Sequence, residues 1–119
     1  MLLTVPDLES LRGSALSEFE RRTASLAPDQ DEVFKREVAL LEGQLEAIYR
    51  MAVLVQRREP DMDAALAVWE ALVGICDSFL FKLETLKRDH PACAPSYDKM
   101  LDLRLAAEKR RELHRKPAA

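Results

Sequence analysis

The stretch ALAVWEALVGICDSFLFKL, residues 65–83, carries only three charged side chains, Glu70, Asp77 and Lys82. A segment this apolar is a membrane span, the centre of a helical core, or a face that awaits a partner. Its periodicity chooses among them. Met62, Ala65, Trp69, Leu72, Cys76, Phe79, Leu83 and Leu86 alternate spacings of three and four, an unbroken heptad seam. Leu66, Val73 and Leu80 flank one side of the seam, and Val68 and Ile75 the other. The strip left over holds Asp63, Glu70, Asp77 and Glu84, one carboxylate every seven residues. Unpaired carboxylates are incompatible with hydrocarbon. The stretch therefore reads as the central helix of a bundle with one narrow edge in water, and no membrane partner is expected.

Beside the acidic column runs a row of small residues that includes Ala67, Ala71 and Gly74. Such residues are good filler on a solvent edge, since Ala is the best helix former. They also let another helix approach closely, so these three are candidates for a partner interface.

Working outward, the prolines divide the chain. Pro6, Pro28, Pro60, Pro91, Pro95 and Pro117 all fall at the edges of periodic segments, where proline is tolerated. The first helix is expected over about Val5–Ser25, opened by Thr4 with Asp7 three residues later in a capping-box pattern. Its apolar stripe, Leu8, Leu11, Ala15, Leu16, Phe19 and Leu26, is narrow. The second follows Pro28, and its seam is Phe34, Val38, Leu41, Leu45, Ile48, Ala52 and Val55. The helix through residues 65–83 is the third. These middle helices, at about 27–29 residues each, would be roughly 40 Å long. Their short connection makes them an antiparallel hairpin. A fourth helix is expected from near Ser96, which would cap it, with Tyr97, Met100, Leu101, Leu105 and Leu113 inward.

The expected fold is all-α: a single-domain, four-helix, mainly antiparallel up-and-down bundle spanning residues 1–119, with a long central helical hairpin and a basic C-terminal tail at about 108–119. With 48% hydrophobic and 33% charged residues the 119-residue chain has the profile of a globular domain able to bury its own core. Two cysteines are too few for a disulfide framework, and no signal peptide is legible. A cytoplasmic protein is the expectation.

The search for chemistry is mostly negative. Glu-x-x-His does not occur, so the di-iron bundle pattern is missing. His90 and Cys93 are two potential ligands where zinc wants four, and no metal or other cofactor is expected. His90 reads as part of an interhelical loop, Cys76 as a small core residue, and Cys93 as a thiol with little nearby to activate it. No Gly-rich phosphate loop appears. The chain is read as non-enzymatic.

Two function classes remain. Tyr49, Met51, Val53 and Leu54 lie off the main seam of the second helix, so residues 48–55 are apolar nearly all round. Such a segment is covered by three neighbours or left for a partner. The first expectation is accordingly a protein–protein interaction or assembly module, paired with itself as a two-fold dimer or with another helical protein. The second uses the tail EKRRELHRK, residues 108–116, where five Lys and Arg face two Glu although the whole chain carries −3. Lys109, Arg110, Arg111, Arg115 and Lys116 would contact nucleic-acid phosphates without reading bases.

Overall fold

The computed structural model describes residues 4–56 and 62–115. It is an all-α, four-helix bundle: α1 at Val5–Thr23, α2 at Asp31–Gln56, α3 at Met62–Asp89 and α4 at Ala94–His114. A short 3-10 turn, Pro91–Cys93, links α3 to α4.

The helix ends follow local chemistry. At α1 the Thr4 side chain accepts from the Asp7 N–H at 3.3 Å, while the Asp7 carboxylate accepts from the Thr4 N–H at 3.0 Å. This satisfies two of the donors that a helix start leaves without partners, and it holds the Asp7 carboxyl below its usual pKa. Asp31 and Glu32 open α2 where the dipole favours acids, and Lys87 and Arg88 close α3 where it favours cations. The start of α4 differs from expectation. It grows out of the 3-10 turn at Ala94, two residues before Ser96, and has no side-chain cap. Pro95 in the first turn replaces that device, since it has no N–H to leave unsatisfied.

Consecutive helices alternate in direction. Arg22 of α1 grips Glu37 of α2, and α3 meets α4 antiparallel through Asp77–Arg104 and through Lys87 over the Tyr97 ring. The long helices α2 and α3 form the central pair, each packed on every other helix. The shorter α1 and α4 sit on opposite flanks and do not touch each other among the described residues.

By length and composition α3 passes for a membrane span. In the bundle its Trp69, Leu72, Ile75 and Phe79 are completely buried, joined in one cluster by Leu8, Val38, Leu45 and Ala52. The sequence seam of α3 is thus its inner face except at Met62, which is 46% exposed because it lies at the helix start beyond the reach of its neighbours. One end of the core is closed by His90. Its ring stacks on Phe34 with centroids 4.2 Å apart, and its Nδ1 contacts the Asp31 carboxylate. The loop histidine of the sequence reading is therefore a buried latch between the start of α2 and the end of α3.

Two carboxylates lie inside the bundle's edge. Glu37 receives a two-pronged contact from Arg22, at 2.8 and 3.0 Å, which ties the end of α1 to α2. Glu42 faces Lys99 of α4 at 3.6 Å.

Candidate interaction surfaces

The structure separates the residues that the sequence singled out on α2. Tyr49 and Val53 are half-buried and packed against the core, so they are not free for a partner. The reason lies in α4. Arg110 places its guanidinium 5.8 Å from the Tyr49 ring and 5.4 Å from that of Trp69, and its Nε donates to the Tyr49 hydroxyl at 2.9 Å. The polar stretch of α4 covers this apolar surface with an arginine stem. Met51 and Leu54 remain outside, at 40% and 61% exposure.

Met51 and Leu54 belong to a larger patch. Leu40, on the same side of α2, is 49% exposed, and Ala39, Gly43 and Ala47 lie open between them. A groove of about 420 Å³ adjoins Met51, floored by Ala15 and Ile48 and edged by Leu11 and Ala47. Leu11, read as part of the α1 core stripe, is 36% exposed at this rim. The signal for the patch is present in the sequence as a second heptad line on α2, with Leu40, Ala47 and Leu54 seven residues apart.

On α3, Ala71 packs against the core, while Ala67 and Gly74 face outward with the acidic column. A methyl group added at Gly74 would meet nothing within 4 Å, so no helix of this chain makes a close approach there. Near it stands Phe81, 83% exposed, in a dent shared with Arg12, Leu16 and Ser78. Sequence reasoning missed it inside the run Phe79-Leu80-Phe81. Successive helix positions are 100° apart, and three in a row cannot all turn inward.

The inner face of α4 also departs from expectation. Tyr97 is partly buried and Met100 fully, but Leu101, Leu105 and Leu113 are 42%, 50% and 80% exposed. Leu103 and Ala107 take their places in the core.

The basic residues of this helix mostly face carboxylates. Arg104 bridges Asp77 and Glu108, Arg111 meets Glu108 and Glu112, and Arg115 reaches Glu70 and Glu112. Arg110 is turned onto the aromatic pair. Lys109 alone among the described phosphate-contact candidates is exposed without an ion pair, and Lys116 lies outside the described residues.

No three His, Cys, Asp or Glu side chains converge on a metal-sized site among the described residues. Both cysteines are free thiols. Cys93, the last residue of the interhelical turn, is 2% exposed. Burial, with Asp77 adjacent, pushes the Cys76 thiol up to about 12. Burial and the nearby Asp31 raise that of Cys93. The thiolate is the reacting form, so native protein at pH 8 is expected to react with a thiol reagent at roughly a thousandth of the free-cysteine rate at Cys76. Both thiols should appear on denaturation. One fast-reacting thiol in the native state would mean that Cys93 is not sealed.

No known protein family, curated protein or solved structure matches this chain.

Proposed function

We propose that this chain is a non-enzymatic helical-bundle protein that acts as a protein–protein interaction or assembly module, and that it pairs with itself through the outer face of α2. One observation carries the reading. Leu40, Met51 and Leu54 stand exposed on one side of α2, with the open Ala39, Gly43 and Ala47 between them and a groove shared by Met51 and Leu11 beside them. Contiguous patches of this kind mark interaction sites on small domains, and isologous pairing is the commonest way to cover one. Two buried, reduced cysteines suit the reducing cytoplasm in which we place the protein. Polyanion binding through the end of α4 is the lesser reading, since Arg104, Arg111 and Arg115 already face carboxylates.

Light scattering at tens of micromolar tests the proposal, with a dimer mass expected. Leu40→Glu places a charge in the patch without touching the core, so a monomer of unchanged helicity and melting behaviour is the expected result. A wild-type monomer with no concentration dependence rejects self-association. The salt response separates the two readings. Apolar pairing persists at high salt, whereas phosphate contact weakens steeply.

A further inference from the structure

A two-fold pair requires a face that matches its own reverse, and the apolar patch on α2 does so about Ala47. Leu40 stands seven residues before Ala47 and Leu54 seven after, while Gly43 stands four before and Met51 four after. All five are exposed on one side of the helix. The outline has a leucine at each end, an alanine at the centre, and a long side chain on one half where the other half has none. Nothing in the chain itself requires that gap. A methyl added at Gly43 would meet nothing within 4 Å, and glycine is a poor residue for a helix interior.

Resting on the self-association reading above, we infer that a second copy lies antiparallel along α2 with the two-fold axis at Ala47. Ala47 packs on the partner's Ala47, and Leu40 lies beside the partner's Leu54, twice by symmetry. Met51 enters the hole bounded by the partner's Leu40, Gly43, Gln44 and Ala47, at the spacing that seats a knob between paired helices. The missing side chain of Gly43 is the room that Met51 fills. Along one edge of the face Glu46 and the partner's Arg50, opposite in charge, come within about half a turn of each other.

The large apolar residues select this register. It is the one antiparallel alignment in which Leu40, Met51 and Leu54 each fall on a residue of the partner's patch. Moving the partner four residues one way sets Leu40 against the partner's Arg50 and Leu54 against the partner's Arg36. Moving it four residues the other way sets Leu54 against the partner's Gln44 and carries Leu40 past the end of the partner's described α2. Parallel pairing fails differently, because each residue then faces its own copy. Arg36 is five full turns from Leu54 and so points the same way. A parallel pair would press it on the partner's Arg36 and leave Gly43 against the partner's Gly43 as a void.

Exchange of volume tests the inference. Gly43→Leu gains a good helix former and meets no atom of its own chain, so the variant should stay as helical as the wild type. Its side chain takes the room of the partner's Met51, and the dimer should dissociate at a roughly tenfold higher concentration. Met51→Ala empties the same layer and should also weaken the dimer. Mixing the two variants puts one large and one small residue in each layer, so the heterodimer should bind more tightly than either variant alone. Mild oxidation gives the geometry. Ala47→Cys should cross-link to itself across the axis, whereas Leu40→Cys, about 20 Å from its own counterpart, should cross-link only when mixed with Leu54→Cys. The buried native thiols leave this experiment undisturbed. Wild type that is monomeric at tens of micromolar rejects self-association and this register together. A wild-type dimer whose mixed variants bind no better than each alone, or in which Leu40→Cys cross-links to itself, keeps self-association and overturns the register.

Discussion

Trp69→Ala is expected to lower the unfolding free energy by about 3–5 kcal/mol and the melting temperature by more than about 10 °C. The indole is completely buried at the junction of α2, α3 and α4. Removing it deletes the largest side chain of the core and leaves a void that three helices would have to close together. The cost also spreads to α4, because Arg110 loses one of the two rings on which it rests. Trp69→Phe separates the contributions. The indole N–H is buried without a hydrogen-bond acceptor, so its loss carries no penalty of its own. The phenyl variant should therefore retain most of the stability. Unchanged melting in Trp69→Ala would contradict the seam assignment for α3.

Phe19→Ala is the second large effect, and it is local before it is global. Helix α1 buries Leu8, Ala15 and Phe19 and packs the partly buried Leu16 on the core, and its remaining ties include two ion pairs, Arg22 to Glu37 and Glu20 to Lys82. The Glu20–Lys82 pair is exposed and contributes little, so the apolar anchors, helped by the part-buried two-pronged Arg22–Glu37 contact, hold the helix. Truncating Phe19 should cost about 3–5 kcal/mol. Because α1 lies on one flank, clear of α4, it should detach while the other three helices persist. Limited trypsin digestion at Arg21 and Arg22 reads this directly, with cleavage expected to quicken on the order of a hundredfold. Equal cleavage rates for variant and wild type would show that Phe19 does not hold α1.

Both effects were readable in the sequence where one helix face is apolar and the rest is not. Proline punctuation and the two seams were enough for the element order and for Trp69, Leu72, Cys76, Phe79 and Leu83 as core. The sequence was a poor guide wherever amphipathic side chains do the covering. On α4 the inner face includes the stems of Arg104, Arg110 and Arg111, which a hydrophobic count scores as outside. The count therefore turned the helix toward Leu101, Leu105 and Leu113 and left Tyr49 without its cover. Tyr49 was lost as an interface candidate to that error, and Val53 because it packs against the core. Met51 and Leu54 stayed outside because their side of α2 faces neither α3 nor α4. His90 escaped notice for a different reason: its role depends on Asp31 and Phe34, far away in the chain and near only after folding.

The position of Trp69 also makes the molecule its own optical gauge. It is the only tryptophan in the chain, sealed from water, with a guanidinium 5.4 Å from its ring. The emission of the native bundle is thus that of a single indole in an apolar setting, beside one fixed cation. If α4 lifts away, the ring loses both its cover and that cation, and its spectrum moves toward that of a wetted indole. The docking of α4 can therefore be followed in time in the unlabelled protein.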